Sequence, residues 1–76
     1  MADPSIRQLL SSGIAYAKQG QVEEALPLFR RVARNHPDNL LAWKCLAYYT
    51  GSPREREVAV RRVLKLDPQD EWARKV

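Results

Sequence analysis

One cysteine, one histidine, one phenylalanine and three glycines are all that this 76-residue chain has of those four types. The lone Cys45 excludes an intramolecular disulfide, and on an apolar helical stripe such a residue usually behaves as a small buried hydrophobe. With one His and one Cys there is no pair of ligands at metal spacing and no Ser/His/Asp set, and the three glycines form no phosphate-cradling loop. His36, beside Pro37, reads as an exposed turn residue. No enzyme, cofactor or metal is expected. No apolar run is long enough to span a bilayer, and the opening MADPSIRQ lacks the basic region followed by an apolar stretch of a secretory signal. A reducing cytoplasm is therefore the expected setting, with no membrane partner.

What is present is helical. The residues are 45% hydrophobic and 29% charged, a globular balance rather than a disordered one. Leu9, Leu10, Gly13, Tyr16 and Ala17 recur at three- and four-residue steps, and so do Val22, Ala25, Leu26, Phe29, Val32 and Ala33 beyond Gly20; this is the helical period, not the strand period. Two such stripes on two short helices imply an antiparallel hairpin joined at Gly20, with Gly13 and Ala25 as small residues where two backbones approach.

Much of the second half restates the first. Leu9, Gly13 and Tyr16 align with Trp43, Ala47 and Thr50 at an offset of 34, whereas Gly20, Phe29, Val32 and Pro37 align with Gly51, Val60, Val63 and Pro68 at 31. Three residues are thus missing between Thr50 and Gly51, which shortens the leading helix of the second copy by about one turn. One mismatch stands out in this register: Arg56 falls where Ala25 sits. Placing the deletion later would align Ala59 there and lose Gly51 and Pro68, so the first register is preferred.

The run Leu9, Gly13, Tyr16, Gly20, Ala25, Phe29 and Pro37 resembles the tetratricopeptide repeat, a helix pair of about 34 residues with small, aromatic and proline positions at these spacings. Ser12 and Val32 depart from the usual Leu and Ala. The resemblance implies an all-α fold, antiparallel helix hairpins stacked as a short α-solenoid of about five helices. It covers 1–76 as a single domain: repeat one about 4–37, repeat two about 38–67 and a capping helix about 68–76.

Local signals place the helices. Asp3-Pro4 suggests an N-cap and a first helical residue, giving a helix from about Pro4 to Gln19 closed by Gly20. A second runs from about Val22 to Asn35, with Glu23 and Glu24 at its start and Arg30, Arg31 and Arg34 toward its end, which suits the helix dipole. Pro27 inside it removes one hydrogen bond and is expected at most to bend it. After His36-Pro37 a third helix spans about Leu40 to Thr50, ended by Gly51, with Trp43, Leu46 and Ala47 facing the core. Ser52-Pro53-Arg54-Glu55 reads as a capping box opening a fourth, about Pro53 to Leu66. It buries Val60, Val63 and Leu64 and gains a Glu57–Arg61 pair. A fifth, about Pro68 to Lys75, offers Trp72, Ala73 and Val76 to the last repeat's apolar edge and Asp70, Glu71, Arg74 and Lys75 to solvent.

In the family, leading helices line a concave groove that holds a segment of another protein. Carried over, Arg7, Leu10, Ile14 and Lys18 of the first helix and Leu41, Lys44, Cys45 and Tyr48 of the third face that groove, so a protein or peptide partner is expected. Leu10, Lys44 and Tyr48 would supply an apolar anchor, a cation for a carboxylate and an amphipathic aromatic. Chaperone-binding members clamp a terminal carboxylate with Lys and Asn; Leu10, Ile14 and Cys45 occupy those places here, so that subclass is not indicated. Arg30, Arg31, Arg34, Arg61, Arg62 and Lys65 form a stripe on the second helix of each hairpin. With net charge +4 and pI near 9.6 it is either a solvated face or an alternative surface for nucleic acid or an acidic partner, though no aromatics are interleaved with it. Two repeats are few, and Ile6, Leu9 and Leu10 have no preceding repeat to cover them, so a homo-oligomer is a further expectation.

Overall fold

Five helices run in chain order in the computed structural model, which describes residues 5–75: α1 (Ile6–Lys18), α2 (Val22–Asn35), α3 (Leu40–Tyr49), α4 (Pro53–Leu66) and α5 (Glu71–Lys75). Three residues join α1 to α2 and α3 to α4, and four join α2 to α3 and α4 to α5. Each helix packs on its neighbours in sequence, and α1 also touches α3. This is a short stack of two helix hairpins with a fifth helix on the end, 38 Å in its long dimension and 18 Å in its short one. Among the described residues no helix is long and apolar enough to cross a membrane.

The core is built mainly from alanine. Ala17, Ala25, Ala33, Ala42, Ala47, Ala59 and Ala73 are buried with Leu10, Leu46, Val32, Val60 and Val63, and Phe29 is the largest fully buried side chain. Small side chains at helix contacts let backbones approach, so little apolar volume is needed to exclude water. The tightest place is where α1 crosses α2. A Cβ built on Gly13 would lie 2.7 Å from Phe29 Cε1, so the phenylalanine ring occupies the space a side chain would need. Gly20 has φ 81° and nothing within 4 Å of a built Cβ; its role is the left-handed turn rather than close packing.

Helices α2 and α4 have the expected bounds. Pro27 lies within α2, and it and Glu23, whose carbonyl it cannot bond, are both exposed, so water satisfies the freed group. The start of α3 at Leu40 and the end of α5 at Lys75 are also as expected, whereas both ends of α1, the end of α3 and the start of α5 differ. Helix α1 begins at Ile6, not Pro4, because Ser5 caps it: Ser5 Oγ accepts from the Gln8 N–H at 3.1 Å, and Gln8 Oε1 accepts from the Ser5 N–H at 3.2 Å. Asp3 and Pro4 lie outside the described residues. Helix α3 stops at Tyr49, with Thr50 as an extended C-cap; Gly51 has no positive φ and does not repeat the part played by Gly20. Helix α5 begins at Glu71, because Asp67 ends α4 and Asp70 caps the next helix, its Oδ1 accepting from the Ala73 N–H at 2.9 Å. Asp70 is accordingly buried rather than on a solvent face. Val76 also lies outside the described residues.

The capping box expected at Ser52 is only half formed. Ser52 Oγ accepts from the Glu55 N–H at 3.2 Å, but the Ser52 N–H goes to Thr50 Oγ1 at 3.2 Å. Glu55 turns its carboxylate elsewhere: Arg30 donates to it through Nε and Nη2, both at 2.8 Å, and Thr50 donates through Oγ1 at 2.5 Å. Thr50, the counterpart of Tyr16, is 2% exposed, while Tyr16 is 39% exposed and so lies at the edge of its stripe. Ala59, which the later placing of the deletion aligns with Ala25, is fully buried as Ala25 is, and Arg56 is not. Where α2 has Ala25 against α1, the shorter α3 has already ended, so Arg56 lies exposed and its Nη2 donates to the Thr50 carbonyl at 3.1 Å. That carbonyl is one of the orphaned acceptors at a helix end.

Candidate functional site

Helical spacing alone puts Arg7, Ser11, Ile14 and Lys18 on one face of α1, and Leu41, Cys45 and Tyr48 on one face of α3. Because the two helices start at the same point of the repeat, with Ser5 and Asn39 as equivalent caps, these faces lie in register. Where they meet is a cleft of about 580 Å³ lined by Ile6, Arg7, Leu10, Ser11, Ile14 and Leu41. It brings together four of the eight residues expected in the groove. Leu10 is buried and forms the floor, whereas Leu41 is 49% exposed and forms a rim.

A second cleft, about 240 Å³, is lined by Lys44, Cys45, Tyr48, Tyr49 and Trp72. It takes in three more of the expected residues, while Lys18 lines neither cleft and stands exposed at the end of α1. Tyr48 is 64% exposed. Its ring lies 4.9 Å from that of Tyr49, edge-on, and 6.1 Å from that of Trp72, so this large apolar surface is held in place by two other rings. Trp72 was expected only to cover the end of repeat two. Its place two residues after the Asp70 cap matches Leu41 after Asn39 and Arg7 after Ser5, and that register was the available signal. Ser11, the counterpart of Cys45, and Ile6 were likewise missed.

Lys44 differs from expectation. Its Nζ lies 2.6 Å from Asp70 Oδ2, so its carboxylate comes from this chain and the pair ties α3 to the cap of α5. Asp70 is held below its ordinary range by the hydrogen bond from Lys44, assisted by the Ala73 N–H and opposed by burial. Burial pushes the Cys45 thiol up, with neighbouring Lys44 opposing, which favours the thiol over the reactive thiolate.

The basic stripe is also partly committed. Arg30 makes its two-pronged contact with Glu55, Arg61 Nη2 lies 2.6 Å from Glu57 Oε1, and the Arg62 guanidinium sits 5.5 Å from the centre of the Trp43 ring. Trp43 in turn donates from Nε1 to the Pro37 carbonyl at 2.8 Å. Arg31, Arg34 and Lys65 are exposed. Three of the six cations therefore serve to tie helices together or to neutralise a neighbour. Among the described residues no group of three or more His, Cys, Asp or Glu is placed to hold a metal ion.

Comparison with known proteins gives one family. The family model described as tetratricopeptide repeat matches residues 6–49, more than half of the chain. No curated protein and no solved structure matches.

Proposed function

We propose a function from one premise: the chain belongs to the tetratricopeptide repeat family, whose repeats are typically non-catalytic protein–protein interaction modules. This chain acts as an adaptor or assembly subunit that holds a segment of another protein along the α1 and α3 face. The observation that carries the reading is the pair of clefts along that face, with Leu41 exposed on one and Tyr48 on the other. Large apolar side chains held in fixed positions on a concave surface suit interface anchors, since their ordering has already been achieved before a partner arrives. Arg7, Leu10, Ile14, Leu41, Cys45 and Tyr48 are the proposed contacts, with Trp72 added. Lys18 is placed at one end of the same face. Lys44 positions the neighbouring cap through Asp70.

Nucleic-acid binding by the convex stripe is less favoured, because Arg30, Arg61 and Arg62 already have partners within the chain. The test is capture from native lysate, with nuclease and moderate salt applied separately, using the native chain, Tyr48→Ala, and a triple reversal of Arg31, Arg34 and Lys65 to Glu. A protein retained through both treatments and lost with Tyr48→Ala supports the groove. Nucleic acid lost at moderate salt and with the triple reversal would overturn it, since phosphate contacts release counterions and weaken steeply with salt.

A further inference from the structure

Charge is distributed unevenly between the two kinds of helix. Helices α1 and α3, which form the proposed groove face, contain Arg7, Lys18 and Lys44 and no Asp or Glu, whereas α2 and α4 mix Glu23, Glu24, Glu55 and Glu57 with a larger number of Arg and Lys. Lys44 is neutralised by Asp70, which leaves Arg7, in the first cleft, and Lys18, one turn beyond its Ile14 end, both exposed, as the other cations of this face. They share the α1 face with Ser11 and Ile14. Eleven residues of helix separate them, about 16 Å along the axis. Between them lies apolar surface: Leu10 on the floor, Ile14 beside it and Leu41 opposite.

We infer that the groove takes an acidic segment whose side-chain carboxylates flank apolar residues, the carboxylates meeting Arg7 and Lys18 and the apolar residues entering the cleft over Leu10, Ile14 and Leu41. The inference rests on the groove reading above and adds the chemistry of the partner. A neutral apolar segment would gain the cleft and nothing from the two cations. A basic one would meet like charges at both ends, which is how an interface rejects wrong partners. The span of about 16 Å corresponds to about five residues of extended chain or eleven of helix. No terminal carboxylate is required, because the two cations lie at opposite ends of the face rather than converging on one point.

The experiment is selection from a random dodecapeptide library, displayed internally so that no peptide has a free carboxyl terminus, on the full chain and on Arg7→Glu/Lys18→Glu. The native chain is expected to enrich sequences with Asp or Glu on both sides of apolar residues. A synthetic copy of the leading sequence should lose affinity about tenfold or more on Arg7→Glu/Lys18→Glu and again on Leu41→Asp, and the doubly reversed chain should enrich Lys or Arg instead. Both reversed positions are exposed, and circular dichroism checks that the helices persist. Neutral or basic winners on the native chain would overturn the inference, as would acidic winners lost on Arg31→Glu/Arg34→Glu and retained on Arg7→Glu/Lys18→Glu. If such winners are nonetheless lost on Leu41→Asp, the groove stands and only its acidic preference falls. Winners indifferent to Leu41→Asp, or no enrichment at all, would remove both.

Discussion

In repeat one the hairpin turns through Gly20 at φ 81°, and its helices close on each other because Gly13 leaves room for the Phe29 ring. In repeat two the leading helix is 10 residues instead of 13, the turn uses no positive φ, and the places of Gly13 and Phe29 are taken by Ala47 and Val60. A glycine and a ring have been exchanged for a small residue and one of middling size. The lost helical turn is replaced by polar contacts, with Thr50, Glu55 and Arg56 occupying the end of α3 and Arg30 reaching over from α2. Repeat one is thus closed by shape and repeat two by hydrogen bonds. Side chains that meet by shape tolerate little change of volume, whereas a polar set that includes a carboxylate is sensitive to pH.

The largest expected difference is in the core. Phe29→Ala removes the largest fully buried side chain and should cost about 3 to 5 kcal/mol, much of the stability of so small a domain. Val60→Ala should cost about 1.5 kcal/mol. Urea denaturation of both checks this, and equal losses would mean that the two repeats share the core more evenly than their packing implies. Next come the turns. Gly20→Ala forces an alanine into the left-handed region and should cost about 1 to 2 kcal/mol. Gly51→Ala, with no positive φ and open space around it, should be neutral or stabilising by about 0.5 kcal/mol. Thermal melts of the pair distinguish a turn glycine from an incidental one.

A smaller effect tests the shape argument. Gly13→Ala gains helix propensity of about 1 kcal/mol and collides with a fully buried ring, an overpacking cost of about 1 to 3 kcal/mol. The net loss should be about 1 kcal/mol, and it should vanish or reverse in a Phe29→Val background, which installs the residue types that align at these positions in repeat two. A double-mutant cycle with no coupling would sink the complementarity of these two positions. The smallest effect concerns charge. Hydrogen bonding from Arg30 holds Glu55 below its ordinary range, opposed by burial and assisted by Thr50. The carboxylate therefore stabilises the fold at and above its ordinary pKa, and this contribution fades as pH falls through the lowered folded value. Glu55→Gln should cost about 1 kcal/mol at neutral pH, discounted because Arg30 is well exposed, and almost nothing once pH has fallen below the lowered folded value. A constant gap between the two stability profiles across that range would refute the assignment.

Much of this was legible from the chain alone. The bounds of α2 and α4 followed from Pro53 and from stripes of period 3.6, and the three-residue deletion followed from the change of offset between Thr50 and Gly51. The caps at Ser5 and Asp70 were passed over in favour of Asp3-Pro4 and Asp67-Pro68. Proline marks a break in the chain strongly, but which neighbouring side chain closes onto a backbone N–H depends on where the turn then leads. The groove residues were named from repeat register. Their division into two clefts was not, because it depends on Leu10 lying low, on Trp72 arriving beside Tyr48, and on Lys44 turning to Asp70.

The sequence by itself determined the helices, their pairing and the repeat, since hydrophobic period, glycine at the turn and small residues at the crossings are local properties that short connections convert into neighbours. Only the tertiary structure decided which charges are committed. Arg30 and Glu55 are 25 residues apart, and Lys44 lies on α3 while Asp70 caps α5, so no local pattern announces either pair; with Lys44 paired to Asp70, the other cations of α1 and α3 are Arg7 and Lys18.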